Sequence, residues 1–565
     1  MKRNKWVAML LTLVITTLVG CSSGGNGNSN QASESNPAPS ESATAQNADG
    51  KFEPPVTITT ARPVGGDYTF YNGEDIHNNV HNKWAKDKLG IEIKDLWNTA
   101  DNDAYHTKLR LSLTTQDQLP DVFIVQDVNL IADLIQSGKV KDIGEDFDKY
   151  ASERIKKVYS DNSGALNQVK KGSELLGLPI FSGGDGTNPV LWIRQDWLDK
   201  LKLKAPTTIE EFETVMDAFT NQDPDGNGIK DTFGFSLSTR NGFSNWMSDV
   251  SFIFGAYTGK FIPFHWQKAD DGSLKYGSIQ PEIKTGLGKL AEWYKKGYLD
   301  PEMAAIDEVK ATESFIQGKS GMIAAPFWAG GSNGWPLGDV KGNNPDALLR
   351  AYVLPTGPDG KSARYTGFVN ERKVMMFNKD FKHMDAFFLY MDKIYDNPFE
   401  TGDFKDGFFE GYDYAIVDGK LEYDSKKFPT PNDKVASPSK YTLFWNTPAI
   451  PFQGSVDFDY IYKGGEPTKR AHNQILVADK EQIRAGALNY EMTGINAPTE
   501  FLGAPTETMR SKGENLKTME LETFAKIIYG NEPLDQFDKF VADWKSKGGD
   551  QIEKEVNEWY KSVNP

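Results

Sequence analysis

The stretch "PDVFIVQDVNLIADLIQSGKVKDI", residues 120–143, contains the pattern that decides the fold. Its first six residues form a short apolar run typical of a buried strand, and from Asp127 onward apolar residues recur at helical spacing. Two similar strand patterns lie upstream, "VTITTARP" from about Val56 and "IEIKDLW" at 91–97, with helical stretches between the strands. Strands that alternate with helices predict an α/β fold whose sheet is mostly parallel.

Ligands of such sheets bind beyond the carboxyl ends of the strands. Two loops occupy those positions here, Gly65 to Asn72 after the first strand and Gln126–Asp127 after the third. We therefore expect the working site of this part of the chain at these loops.

The N-terminus has the composition of a signal peptide. "MKRNK" is basic, and the apolar run in "WVAMLLTLVITTLVG" is too short to cross a bilayer core of about 30 Å. We assign residues 1–20 to this signal. The "LVGC" that ends it resembles the lipobox of bacterial lipoproteins, which implies cleavage before Cys21 and lipidation, including palmitate, of that residue. The alternative is an ordinary secretory signal with an incidental cysteine.

Residues 21–54 are predicted to be the lipidated cysteine followed by a disordered tether, because they contain almost no large apolar residue. Cys21 is the only cysteine, so we expect no disulfide. About 510 residues remain, more than one hydrophobic core sustains, and at least two lobes are expected.

The net charge of the whole chain is −16. An acidic surface argues against nucleic acid as a partner, and against contact with an anionic membrane other than through the lipid anchor.

A second informative stretch is "NQDPDGNGIKDT", residues 221–232, in which oxygen-bearing groups occupy every second position. Calcium takes six to eight oxygen ligands, and EF-hand loops supply them at this rhythm. The predicted ligands of a structural Ca²⁺ are Asp223, Asp225, Asn227, the carbonyl of Ile229, and Asp231. The closing acidic residue of an EF-hand is missing, since Gly234 stands there. The alternative is a solvated Asp/Asn/Gly turn without a metal.

Several blocks together resemble the bacterial extracellular solute-binding proteins of sugar ABC transporters, whose best-known member is the maltose-binding protein. These blocks are residues 119–143, 178–219 ("LPIFSGGDGTNPVLWIRQDWLDKLKLKAPTTIEEFETVMDAF") and 315–331 ("FIQGKSGMIAAPFWAGG"). The C-terminal "FDKFVADWKSKGGDQIEKEVNEWY" is similar to the large lipoprotein branch of Gram-positive bacteria, which is related to alginate-binding proteins.

The resemblance implies a two-lobed periplasmic-binding-protein fold, type II, that closes like a hinged clamp. Each lobe would be a mostly parallel sheet flanked by helices. We expect lobe 1 to comprise 55–186 and about 365–420, and lobe 2 to comprise 187–364 and about 430–565. The resemblance also implies a calcium-binding loop at 223–231, but alginate binders place an acidic ligand after its last aspartate, where this chain has Thr232. The resemblance therefore supplies no acidic ligand at that position.

Sugar sites use flat aromatic rings and polar groups at the ring edges. Trp328 matches the stacking tryptophan of the maltose-binding protein, and Gln126 and Asp127 match the ligand loop of the family. Further predicted ligand contacts are the loop residues Trp246, Trp445, Asp185 and Asp67. The other tryptophans singled out on helix faces are expected in the core: Trp197, Trp293, Trp544 and Trp559.

Catalytic motifs are not evident. His77 and His81 have metal-ligand spacing, but no glutamate accompanies them, and we interpret both as surface histidines. The sequence therefore predicts no enzyme. It predicts a monomeric, lipid-anchored binding protein on the extracellular face of a Gram-positive membrane, which captures an oligosaccharide and delivers it to an ABC transporter permease. The alternatives are a sugar-sensing lipoprotein acting with a membrane kinase, or a glycoside-active enzyme.

Overall fold

The computed structural model describes residues 45–47, 50–66, 68–71, 73–115, 118–331, 335–367, 373–429, 438–469 and 478–564. The predicted signal peptide, Cys21 and Asp67 lie outside the described residues. Within the described ranges, no helix has both the length and the apolar composition needed to cross a membrane.

Eighteen α-helices are numbered here along the described residues and are joined by short 3-10 and π turns. They are α1 Val80–Trp84, α2 Asn102–Thr114, α3 Val128–Ser137, α4 Gly144–Tyr150, α5 Glu153–Asp161, α6 Gln195–Leu201, α7 Ile209–Asn221, α8 Ser251–Thr258, α9 Pro281–Lys295, α10 Glu308–Ile316, α11 Val340–Asn343, α12 Met384–Ile394, α13 Asp396–Phe399, α14 Gln453–Tyr462, α15 Lys480–Glu491, α16 Glu507–Ile528, α17 Gln536–Trp544 and α18 Asp550–Val563.

The described strands are mostly short. They are β1 Ala45–Gln46, β2 Phe52–Glu53, β3 Val56–Pro63, β4 Ile91–Thr99, β5 Val122–Val125, β6 Lys170–Lys171, β7 Glu174–Leu175, β8 Leu178–Pro179, β9 Pro189–Arg194, β10 Phe233–Ser236, β11 Trp266–Lys268, β12 Leu274–Tyr276, β13 Ser320–Pro326, β14 Leu349–Tyr352, β15 Arg364–Tyr365, β16 Val374–Phe377, β17 Ala415–Val417, β18 Lys420–Glu422 and β19 Asn496–Ala497.

Separate apolar cores confirm the predicted two-lobed α/β class. Lobe 1 contains two adjoining clusters built mainly from residues 52–181 and 374–444. The core of lobe 2 is built from residues 190–354 and 458–556. Along the described residues, the chain therefore passes between the lobes three times. The exact predicted bounds stay a proposal. Leu443 and Phe444 were expected in lobe 2, but they pack in the core of lobe 1.

The strands of both lobes are mixed rather than mostly parallel, which corrects the prediction on that point. β3 pairs with β4 in parallel, and β10 pairs with β13 in parallel. By contrast, β16 lies antiparallel between β5 and β8, and β9 lies antiparallel between β13 and β14. The reason is the crossing topology, because a strand that enters a sheet from the other lobe needs no crossover helix and can run against its neighbours.

Two local predictions also need correction. The tether was expected to be disordered to residue 54, but β1 pairs with β2, and Phe52 is buried in the lobe 1 core. His81, expected on the surface, is fully buried on α1. His77 is exposed as predicted. The tryptophans predicted for the core lie in it or pack against it: Trp197, Trp293, Trp544 and Trp559.

Candidate functional site

A cluster of three tryptophans lies at the carboxyl ends of neighbouring strands in lobe 2. Trp246 follows β10 and Trp328 follows β13, and these two strands run parallel side by side. The ring centroids of Trp246 and Trp328 are 6.1 Å apart with the planes at 14°. Trp335 lies 6.3 Å from Trp246 with the planes at 17°. We call Trp246, Trp328 and Trp335 the tryptophan array.

The orientation of Trp328 is fixed at both ends of the residue. Its indole Nε1 donates to the carbonyl oxygen of Gly186 at 2.6 Å, within the first segment that crosses between the lobes. Its own carbonyl oxygen accepts from Nε2 of Gln482 at 2.9 Å. A ring held in this way loses little further side-chain freedom when a ligand contacts it.

Trp335 was not singled out from the sequence. Its side chain is 63% exposed, the largest exposure among the large hydrophobic residues described as exposed. The only sequence signal was its position at the end of the glycine-rich loop that begins after Trp328. The structure thus brings together two predicted contacts, Trp246 and Trp328, and adds a third aromatic ring beside them.

Trp445 belongs to lobe 1, where its ring meets that of Tyr105 edge-on at 5.1 Å. Its backbone is in the left-handed region, with φ at 59°. Within the described residues its buried indole nitrogen has no hydrogen-bond partner. A bulky residue in this conformation costs free energy, and such outliers are often found at binding sites.

Further aromatic residues follow β3, in the loop predicted to face a ligand. The rings of Phe70 and Tyr441 stack at 5.4 Å with their planes 9° apart. The Tyr441 hydroxyl donates to the carbonyl oxygen of Thr69 at 2.7 Å. The ammonium of Lys440 lies 5.6 Å from the ring centre of Tyr68. From this loop the sequence predicts only Asp67 as a ligand contact.

The oxygens of Asp127 bind locally. One caps α3 by accepting from the backbone N–H of Leu130 at 2.8 Å, and the other accepts from Arg110 at 2.6 Å. Partial burial alone would raise the pKa of Asp127, but these two hydrogen bonds outweigh it and lower the pKa below its ordinary value. Gln126 is exposed, and its backbone N–H donates to Nε2 of His106 at 3.3 Å. The Gln126 side chain is therefore the freer of the two predicted contacts.

Asp185 is buried rather than open at the surface. It accepts from the backbone N–H of Ser455 at 3.1 Å and from the Ser455 hydroxyl. That hydroxyl in turn accepts from Nδ2 of Asn489 at 2.7 Å. Burial raises the pKa of Asp185, with these hydrogen bonds and Arg364 opposing the rise. Asp185 thus joins the first and third crossing segments, and its role as a ligand contact stays a prediction.

The loop at 221–232 places its carboxylates around one amide. Nδ2 of Asn227 donates to Asp225 at 2.8 Å and to Asp231 at 3.2 Å. Asp223 accepts from the backbone N–H groups of Gly226 and Gly228 at 3.0 and 3.2 Å. Burial and then the nearby Asp223 and Asp231 carboxylates raise the pKa of Asp225.

The donor chemistry of this loop suits a hard cation, but its arrangement is not that of a formed site. Among the described residues, no three His, Cys, Asp or Glu side chains are arranged to hold a metal ion. The amide of Asn227 directs its N–H groups at the carboxylates, and a half turn of that amide would present its oxygen instead. Thr232 is buried, and its hydroxyl donates to the carbonyl oxygen of Phe219 at 2.8 Å, so it adds nothing to the loop.

Comparisons with known proteins place the chain in a family. A family model described as "Bacterial extracellular solute-binding protein" matches residues 71–397. The chain is 26% identical over 504 residues to the polygalacturonan/rhamnogalacturonan-binding protein YtcQ of Bacillus subtilis, covering 86% of this chain and 90% of that protein. It is 25% identical over 490 residues to the lipoprotein LipO of the same organism, covering 84% and 87%.

A solved structure shows the same fold. It is the ABC-transporter substrate-binding protein FusA of Streptococcus pneumoniae, as an EF-hand mutant in complex with fructo-nystose. The match has a TM-score of 0.53 at 17% identity and covers 90% of this chain and 99% of that one. At this identity the likeness concerns the fold alone.

Proposed function

The chain belongs to the family of bacterial extracellular solute-binding proteins, and from that premise we propose that it captures an oligosaccharide between its two lobes and delivers it to an ABC importer permease. The fold supplies two lobes joined by three crossing segments, which suits closure around a ligand. We propose a monomer that binds its ligand and does not transform it.

The observation that carries the proposal is the tryptophan array. Pyranose and furanose rings have apolar C–H faces, and aromatic rings cover such faces while polar groups contact the hydroxyls. Trp328 is held by hydrogen bonds at both ends, and Trp335 leaves most of its surface to solvent. A rigid ring next to an exposed one favours a ligand with several sugar units over a single monosaccharide.

The chemical class of the sugar is open between acidic and neutral. YtcQ is named for an acidic pectic polysaccharide, whereas the FusA complex contains a fructan oligosaccharide. On the lobe 1 side, the ammonium of Lys440 lies over the Tyr68 ring. A cation next to an aromatic ring favours an acidic oligosaccharide, and we propose an oligogalacturonide as the first candidate.

Calorimetric titration of the full chain with trigalacturonate, kestose and maltotriose tests the proposal, together with small-angle scattering of the free and bound forms. We expect one sugar to bind, the particle to contract, and the tryptophan fluorescence to shift by an amount that falls in Trp328→Phe. Failure of all three sugars and of a wider glycan panel would contradict the proposal. Release of shorter sugars during incubation would favour the glycoside-active enzyme instead.

Transport and sensing are separated in the native cell. Deletion of the gene should abolish uptake of the bound sugar if the protein serves an importer. If it acts with a membrane kinase, the deletion should abolish the transcriptional response and leave uptake intact.

We propose lipid anchoring through Cys21, which would keep the protein on the extracellular face of the membrane. The lipobox-like "LVGC" supports it, and the similar protein LipO is named a lipoprotein. Labelling cells with a palmitate analogue should mark the wild type and not Cys21→Ser. The variant should appear in the medium, and its retention on the membrane would contradict the proposal.

We also propose that the loop at 221–232 binds one Ca²⁺ with a structural role. Asp223, Asp225, Asp231, the Ile229 carbonyl, and Asn227 after a turn of its amide would hold the ion, which would tie the end of α7 to β10. The similar FusA structure is described as an EF-hand mutant, which supports a cation loop in such proteins.

A further inference from the structure

The segment Tyr441–Trp445 has no regular secondary structure over most of its length, yet three side chains hold its backbone. Nη1 of Arg62 donates to the carbonyl oxygen of Tyr441 at 2.8 Å. The hydroxyl of Tyr390 accepts from the backbone N–H of Leu443 at 3.0 Å. Nζ of Lys373 donates to the carbonyl oxygen of Phe444 at 2.8 Å.

The three residues come from different elements of lobe 1. Arg62 is near the end of β3, Tyr390 is on α12, and Lys373 immediately precedes β16. The segment ends at Trp445, whose φ of 59° is unfavourable for a bulky residue. Such a conformation persists only where the surroundings determine it.

Two of the holding side chains are themselves fixed. Arg62 is fully buried, and its Nε donates to Asp95 at 2.7 Å. Tyr390 donates its own proton to Nε2 of His81 at 2.8 Å, because its oxygen already accepts from Leu443. Burial lowers the pKa of His81 to about 3, so its ring is neutral at neutral pH. Nδ1 faces the side-chain oxygen of Asn82 at 3.4 Å and donates to it, which leaves Nε2 as the acceptor. His81 was interpreted as a surface residue from the sequence, and this contact gives it a role.

We propose that Arg62, Tyr390 and Lys373 are positioning residues, which hold Tyr441–Trp445 so that the indole of Trp445 is fixed as a sugar contact before the ligand arrives. The proposal rests on the proposed function, in which Trp445 contacts the oligosaccharide. A preformed ring binds more tightly, because the loop is already ordered and loses no further conformational entropy when the sugar binds. None of the three needs to touch the sugar itself.

The test follows Trp445 directly in the full chain labelled with 5-fluorotryptophan. Its ¹⁹F resonance is the one missing from Trp445→Phe. Tyr390→Phe removes only the hydroxyl, and we expect the Trp445 resonance to shift and broaden and the amide of Leu443 to exchange about tenfold faster. Affinity for trigalacturonate or kestose should weaken roughly fivefold, as the loss of one hydrogen bond would give.

Tyr298→Phe is the matched control. Tyr298 is buried in lobe 2, and its hydroxyl donates to Asp217 at 2.6 Å, in the lobe that does not contain the segment. It should lose stability in the same way while the Trp445 resonance, the exchange at 441–445 and the affinity stay as in the wild type. If Tyr390→Phe does not fold, Lys373→Met should give the same signature, and Lys373→Arg should restore most of it.

An unchanged Trp445 resonance and unchanged amide exchange in both Tyr390→Phe and Lys373→Met would overturn the proposal. The premise of the proposal would be removed if Trp445→Ala bound the sugar with the same affinity as the wild type. That outcome shows that Trp445 is no sugar contact, and it is distinct from failure of the proposed function, in which no sugar binds the wild type.

Discussion

Thr232 donates its hydroxyl to the carbonyl oxygen of Phe219 at 2.8 Å and so faces α7, although it directly follows the last aspartate of the 221–232 loop. A cation in that loop must be held without it. Asp231→Asn should therefore abolish the calcium response, whereas Thr232→Val should keep it and lose about 1 kcal/mol of stability in the presence or absence of calcium. Calcium at about 100 times Kd should stabilise the wild type by roughly 2.7 kcal/mol.

Melting curves in calcium and in EDTA measure this difference. Asp217→Asn, on α7 outside the loop, is a control that should keep the full calcium response. Equal melting temperatures of the wild type in the two solutions, with metal-free protein verified in EDTA, would contradict a calcium site.

Trp335→Ala should weaken sugar binding by on the order of tenfold or more, because a stacking surface is lost from a binding site. It should change the free energy of unfolding little, since most of the Trp335 side chain is already exposed. Calorimetric titration and a urea unfolding curve measure the two effects. Tyr150→Ala, an exposed aromatic residue on α4, should change neither. Unaltered affinity in Trp335→Ala would remove this ring from the site.

Asp185→Ala should lower stability by about 1–3 kcal/mol, because the buried N–H and hydroxyl of Ser455 then lose their acceptor. Ser455→Ala should lose a comparable amount, and the double variant should lose less than the sum of the two. The sugar affinity of the folded protein should change little. A large loss of affinity at normal stability would instead restore Asp185 as a direct ligand contact.

The buried carboxyl of Glu520 in lobe 2 should make the stability of the protein depend on pH. Burial raises its pKa to about 8, while Tyr276 donates to its carboxyl at 2.9 Å. The native state therefore holds a proton that the unfolded chain loses above about pH 4.5. This proton therefore increases the free energy of unfolding below about pH 4.5. The increase is lost as the pH rises from about 4.5 to 8, and it amounts to about 1.4 kcal/mol for each unit by which the pKa is raised.

Glu520→Gln should flatten this part of the pH profile, because the amide still accepts from Tyr276 and has no charge to bury. Urea unfolding at pH 5 and pH 8.5 measures the slope. Glu514→Gln, an exposed position on the same helix, should keep the wild-type profile. A wild-type slope in Glu520→Gln would show that another group titrates.

Local pattern was sufficient to predict β3, β4 and α3, because each depends on residues close together in the chain. The two lobes were expected from the chain length and the family resemblance, since each lobe combines distant segments. It predicted Trp246 and Trp328 in loops, and the structure adds that their strands are neighbours. It failed for His81 and for the surroundings of Asp185, since Tyr390 and Ser455 lie 309 and 270 residues away. Trp335 was missed because its exposure depends on tertiary contacts.

The position of β16 has a consequence for synthesis and export. This strand lies between β5 and β8, but it begins 249 residues after the end of β5 and 195 residues after the end of β8. A nascent chain that ends anywhere before Val374 therefore has β5 and β8 with open edges and cannot complete its N-terminal sheet. Late closure of such a contact slows folding, and the open edges favour aggregation. We expect the emerging chain to depend on holdase chaperones until the second lobe has been made.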